Sequence, residues 1–178
     1  MMRALIIGRF QPFHLGHLKI IEDLAKRHDY IIIGIGSAQE SHTVENPFTA
    51  GERHLMIANS LESRNINNFY LVPIEDIYRN ALWVAHVESI APPFNIVYSA
   101  NPLVKRLFME KGYKVIMPEL YRRDIYSGKE IRRRMIYDEN WQELVTKEVI
   151  KVIDEIDGIN RIKEIAKNDE YSTDQPKK

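Results

Sequence analysis

The chain has 178 residues, of which 44% are hydrophobic and 28% charged, enough for one domain with a sizeable core. Its 25 Lys and Arg balance 25 Asp and Glu, which argues against a nucleic-acid coat or a polybasic membrane binder but leaves room for a local anion site. Cysteine is absent, which excludes disulfides, zinc–thiolate centres, iron–sulfur clusters and cysteine nucleophiles.

The first apolar run, Ala4–Gly8, is too short for a signal peptide, and no run approaches the ~20 residues that span a bilayer. A cytoplasmic protein with no membrane partner is therefore expected. Leu18, Ile21, Leu24 and Ala25 then recur at helical spacing, with Lys19, Glu22, Asp23 and Lys26 on the other side. A second run, Tyr30–Gly36, precedes a helix over Arg53–Leu61 that opens near Thr49. A third, Phe69–Ile74, precedes a helix over Asn80–Ile90 that Pro92 and Pro93 stop. Ile96–Tyr98 and Val115–Met117 complete the set.

These runs are continuous rather than alternating, as in strands covered by helices on both faces. The order predicts an α/β fold: a Rossmann-like, doubly wound, parallel five-stranded sheet with C-terminal helices. Glu143–Asp157 and Ile159–Lys167 read as two late helices separated by Gly158. Residues 1–168 read as one domain, with 127–168 its helical C-terminal part and 169–178 a polar, disordered tail.

Two nucleotide-binding loops common in such sheets are missing. The first turn, Gly8-Arg9-Phe10-Gln11-Pro12-Phe13-His14-Leu15-Gly16-His17, is not G-x-G-x-x-G, and no G-x-x-x-x-G-K-[ST] occurs. That turn nevertheless occupies a strand's carboxyl end, where ligands of parallel sheets bind. His14 and His17 share a face of the first helical turn, Gly16 leaves the backbone open, Arg9 supplies a cation, and the helix N-terminus adds free N–H groups. Singly, each has a plain structural reading: His14 as a cap, His17 as a core residue, Arg9 as half of a surface ion pair. Together they describe a phosphate site. An i,i+3 histidine pair without a third ligand is thin support for zinc.

A second basic element runs from Arg122 to Met135. Ser127 and Glu130 fit a capping box, so a helix begins there with Ile131 and Met135 inward. Arg132, Arg133 and Arg134 step by about 100° each, so at most one or two reach a common ligand.

Arg9-Phe10-Gln11-Pro12-Phe13-His14-Leu15-Gly16-His17 resembles the H-x-G-H signature of the nucleotidyltransferase superfamily, and Tyr126-Ser127-Gly128-Lys129-Glu130-Ile131-Arg132 resembles its I-S-S-T-x-I-R motif. Gly36–His42, Asn46–Arg53, Asn80–Val84, Pro92–Phe94, Asn101–Val104 and the three arginines narrow the resemblance to archaeal-type nicotinamide-nucleotide adenylyltransferases.

That family joins nicotinamide mononucleotide (NMN) to the AMP part of ATP, releasing pyrophosphate with Mg2+. The resemblance implies catalytic roles for His14, His17 and Arg132. It implies ATP contacts at Gly8, Arg9, Phe10, His14, Gly16, His17, Asn101, Ser127 and Arg132. For NMN it implies Ser37, Gln39, Ile77, Asn80 and Trp83, the indole stacking on the nicotinamide ring. The plain structural alternative for Trp83 is an ordinary core aromatic. No metal held by the protein alone is implied, and a homo-oligomer, often a hexamer, is.

Gly128 and Lys129 stand where the superfamily motif has Ser and Thr, Ala100 where archaeal relatives often have Gly, and Glu45 where some have a basic residue. The nearest alternative is an adenylyl or cytidylyl transferase acting on FMN, phosphopantetheine or nicotinate mononucleotide. A non-catalytic nucleic-acid module built on 122–134 is the alternative of a different class, disfavoured by the zero net charge.

Overall fold

The computed structural model describes residues 1–122 and 124–173, the last six as backbone alone. Every apolar run forms a strand: β1 (Arg3–Gly8), β2 (Tyr30–Ile35), β3 (Phe69–Pro73), β4 (Ile96–Tyr98) and β5 (Lys114–Ile116). They pair in the order β3-β2-β1-β4-β5, all parallel. The chain winds outward from β1 to β3, then returns to β1's other side, which puts the topological switch between β1 and β4, where a crevice opens at the strands' carboxyl ends.

Strand residues serve two cores in alternation. Ala4 and Ile6 face one, with Ile31, Ile33 and Ile35, while Leu5 and Ile32 face the other, with Val97. Helices α1 (Leu15–Ala25) and α2 (Ala50–Glu62) cover the first face, and α3 (Asn80–Ile90) and α4 (Pro102–Glu110) the second. The first core continues into α5 (Gly128–Ile136), α6 (Lys147–Glu155) and α7 (Gly158–Thr173).

The parallel five-stranded sheet matches the expectation, and the helix expected over Asn80–Ile90 has those limits. Three local differences have physical causes. The helix α4 was not singled out, because its amphipathic stripe is thin and only Phe108 is fully buried. The helix expected from Glu143 starts at Lys147: a 3-10 turn over Gln142–Leu144 comes first, and the Thr146 hydroxyl then caps α6 by accepting from the Val149 amide. The backbone of α7 stays helical to Thr173, past the point where the tail was expected to lose structure; residues 174–178 lie outside the described residues.

Residues Asn46–Thr49 are fastened from two sides. The Thr49 hydroxyl accepts from the Glu52 amide at 3.2 Å and the Glu52 carboxylate accepts from the Thr49 amide at 2.9 Å, a reciprocal capping box. From α7, Arg161 donates to both Glu52 oxygens, at 2.7 and 2.9 Å, and to the Pro47 carbonyl at 3.2 Å. Burial alone would raise the Glu52 carboxyl, but the donors from Arg161 and Thr49 outweigh it and hold it below its ordinary value. Replacing Thr49 with Ala is expected to lower unfolding stability by about 1 kcal/mol without changing the fold. Denaturant unfolding checks this: a fall in the Thr49→Ala midpoint with Thr49→Ser near the parent is expected, and identical midpoints for parent and Ala would contradict it.

Candidate active site

Two cavities open along the carboxyl edge of the sheet. The first, about 330 Å³, lies between the β1–α1 turn and the N-terminus of α5. Arg9, Phe10, His14, Gly16, His17, Ser127 and Arg132 all line it, with Gln11 and Lys129. The second, about 340 Å³, lies beyond β3 and β4, and its lining includes Ile77, Asn80, Trp83 and Asn101.

In the first cavity His14 caps α1. Its Nδ1 accepts from the His17 amide at 3.3 Å, so the neutral ring carries its proton on Nε2. The two imidazoles stack 3.5 Å apart at 18°. Phe10 meets His17 edge-on at 4.8 Å, and Phe13 stacks on it at 5.8 Å. This apolar setting strips the rings of water. Burial pushes His14 down to about 4, and burial followed by repulsion from His14 holds His17 well below the ordinary histidine range. Both histidines are therefore neutral donors at pH 7, and cationic charge comes from Arg9, Lys129 and Arg132.

The Arg132 guanidinium is buried, and its Nη1 donates to the Gln11 carbonyl at 2.7 Å. Burial, then repulsion from Arg9, lowers it to about 10, leaving it charged at neutral pH. Its neighbours point elsewhere, as their helical step requires. Arg133 binds Glu130 and Glu139, and Arg134 binds Glu130, Glu143 and the Asn140 carbonyl. Ser127 caps α5 by accepting from the Glu130 amide at 3.2 Å, while the Glu130 carboxylate goes to the arginines rather than back to the cap.

The other expected residues divide. A Cβ on Gly8 would lie 2.9 Å from Phe10 Cζ, so Gly8 makes room for that ring and does not line the cavity. Gly16 lines the cavity but has no room on its Cβ side: a Cβ there would meet Tyr126 Cβ at 2.9 Å. Asn101 lines the second cavity rather than the first, and its Oδ1 caps α4 by accepting from the Leu103 and Val104 amides. Ser37 and Gln39 line neither cavity. Gln39 binds the Asp76 amide at 3.0 Å and the Asp76 carbonyl at 3.4 Å, bracing the loop that carries Ile77.

Two structural residues escaped the sequence reading. Arg53, fully buried, donates to the carbonyls of Arg9 at 2.8 Å, Gly36 at 2.7 Å, Ser37 at 3.1 Å and Thr49 at 3.2 Å. Its signal was an arginine at helical spacing with the core positions Met56, Ile57, Ser60 and Leu61. Gln11 is the other: its amide pairs in both directions with the Phe48 backbone, at 2.8 and 3.0 Å.

Residues 5–134 match the cytidylyltransferase-like family. Among its relatives, a nicotinamide-nucleotide adenylyltransferase of Methanococcus aeolicus is 60% identical over 94% of this chain and 97% of its own length. One of Picrophilus torridus is 57% identical over 95% and 100%. The chain belongs to this family of nucleotidyltransferases. A bifunctional NMN adenylyltransferase/ADP-ribose pyrophosphatase of Francisella tularensis, crystallised with AMP and a manganese ion, shares the fold: its TM-score is 0.70 at 21% identity, covering 94% of this chain and 53% of that one. Among the described residues no group of three or more His, Asp or Glu could hold a metal, and no helix is long and apolar enough to cross a membrane.

The histidine environment of this family member sets a pH dependence. His14 titrates near 4 when folded and near 6.5 when unfolded, so between those values the unfolded chain binds more protons and stability rises with pH. The gain is complete above about 6.5 and lost as pH falls toward 4. His14→Asn, which preserves a capping side chain, should flatten this part of the curve in denaturant titrations. Parallel curves for the parent and His14→Asn would contradict the assignment.

Proposed function

We propose that this chain transfers the adenylyl group of ATP to NMN, giving NAD and pyrophosphate. The reading is supported by the pairing, on one sheet edge, of a basic cavity holding two neutral imidazole donors with a second cavity lined by Trp83, Asn80 and Asn101. The ATP phosphates suit the first and the nicotinamide ring the second. An NMN phosphate has a second pKa near ~6, so at pH 7 it is already mostly dianionic and needs no general base. Its oxygen attacks the α-phosphorus of ATP in line, the bond to the β-phosphate oxygen breaks, and pyrophosphate leaves with that electron pair. Catalysis is then alignment plus stabilisation of charge spread over the phosphates.

His14 and His17 act as hydrogen-bond donors to the transferring phosphate, His14 through Nε2. Arg9 and Arg132 clamp the phosphates. Ser127 and the α5 N-terminus add donors, and Lys129 stands where the superfamily motif has a hydroxyl. Trp83 packs on the nicotinamide ring, with Ile77 and Asn80 beside it, Gln39 braces their loop through Asp76, and Ser37 belongs to the segment that Arg53 fixes. Mg2+ arrives with ATP and neutralises phosphate charge, in keeping with a cavity of donors and cations rather than carboxylates. A cytoplasmic homo-oligomer, including a hexamer, belongs to the same proposal and rests on family resemblance.

The test is pyrophosphate release from ATP and Mg2+ with a panel of acceptors. Release that requires NMN is expected; release with FMN or phosphopantetheine but not NMN would overturn the reading. His17→Ala is expected to cut kcat by roughly 10²-fold or more with unchanged circular dichroism, and full activity would remove its assigned role. Trp83→Ala should chiefly raise the KM for NMN, and an unchanged KM would remove the stacking.

A further inference from the structure

The Arg132 guanidinium is held on a backbone carbonyl rather than on an acid. Its Nη1 donates to Gln11 O at 2.7 Å, while its Nε is buried without a hydrogen-bond partner. The carbonyl it uses is itself immobilised. Gln11 is 2% exposed; its Nε2 donates to the Phe48 carbonyl at 2.8 Å and its Oε1 accepts from the Phe48 amide at 3.0 Å. An amide paired in both directions cannot rotate without leaving two buried backbone groups unsatisfied.

Phe48 is in turn fully buried. The Arg161 donor to the neighbouring Pro47 carbonyl ties its segment to α7. Gly128 supplies the remaining condition: a Cβ there would lie 2.9 Å from Arg132 Nη1 and 2.9 Å from Gln11 O. Any other residue at 128 would intrude on the bond between them.

We propose that Gln11 is a positioning residue for Arg132: its carbonyl, fixed by the amide pair with Phe48 and given clearance by Gly128, aims the guanidinium into the phosphate cavity. This rests on the reading of that cavity as the phosphate site. A carbonyl anchor orients the arginine without cancelling its charge, whereas Arg133 and Arg134 are each paired with carboxylates. The arrangement leaves Arg132 with no carboxylate among its hydrogen-bond partners, Glu45 acting on it only through space, and it makes the residue before Pro12 the element that sets the arginine's direction.

The test is a double-mutant cycle over Gln11→Met and Arg132→Met, read by calorimetric binding of inorganic pyrophosphate to the full-length protein. A structural role would weaken binding by the same factor with or without Arg132; a positioning role acts only through it. Gln11→Met is expected to weaken pyrophosphate roughly tenfold, the order set by one charge-assisted hydrogen bond, and less than about twofold in the Arg132→Met background. Gly128→Ala leaves the Gln11 side chain intact and blocks the same bond. Because Gly128 itself lines the cavity it is read in both backgrounds, and a roughly tenfold loss that shrinks below about twofold in Arg132→Met decides the matter if Gln11→Met does not fold. Equal losses in both backgrounds, or pyrophosphate affinity unchanged in Gly128→Ala, would overturn the proposal. Because the probe is pyrophosphate, the result does not depend on NMN being the acceptor; failure of that reading would appear separately, in the acceptor panel.

Discussion

One buried guanidinium holds the functional edge of this sheet together. Arg53 reaches from α2 into the space between the ends of β1 and β2, and four backbone carbonyls receive it. The Ser37 carbonyl also accepts from the Glu40 amide and the Thr49 carbonyl from the Arg53 amide, so the guanidinium adds a second donor there. At Arg9 and Gly36 it serves carbonyls just past the strand ends. Through Arg9 the guanidinium fixes the turn that carries the histidines. Through Gly36 and Ser37 it fixes the segment whose Gln39 braces the loop of the second cavity. The two cavities thus share one internal tie. Burial, then repulsion from Arg9, lowers Arg53 to about 10, so it stays charged at neutral pH and adds to the positive potential behind the first cavity.

Around that tie, charge and hydrogen bonding are separated between residues. The histidines stack on each other and His17 packs against Phe10 and Phe13, burial that keeps both rings neutral, while the His17 amide fixes the tautomer of His14. The arginines remain ionised because a guanidinium keeps its proton even after a substantial downward shift. An anionic ligand would meet permanent cations and pre-aimed N–H groups rather than groups that must first gain a proton, which suits a reaction whose nucleophile is already ionised.

Much of this was legible in the sequence, and the exceptions share a physical cause. The central strands β1, β2 and β4 are buried and leave continuous apolar runs, and the half-exposed edge strands β3 and β5 keep apolar runs as well, so all five showed through, as did the helix capped by Thr49 and the one at Asn80–Ile90. The cavity of Arg9, His14, His17, Ser127 and Arg132 was legible because its parts lie at two helix starts. Arg53 and Gln11 were not, because their partners are backbone atoms of distant loops, and a carbonyl carries no residue identity. Gly128, seen as a departure from a motif, gains its meaning only from the arginine that passes over it. The zero net charge excluded large polyanions but said nothing of the local cations, since Glu130, Glu139 and Glu143 offset arginines that turn away from the cavity.

On the proposed function the two cavities receive two different parts of one reaction, phosphates at the histidines and a ring at Trp83. A crystal structure with a non-hydrolysable ATP analogue and NMN bound together tests it most directly. The predicted result has phosphate oxygens within hydrogen-bond distance of His14 Nε2 and the Arg132 guanidinium, and the nicotinamide ring stacked on the Trp83 indole. Phosphates seated away from the histidine pair, or a nicotinamide ring out of contact with Trp83, would contradict it.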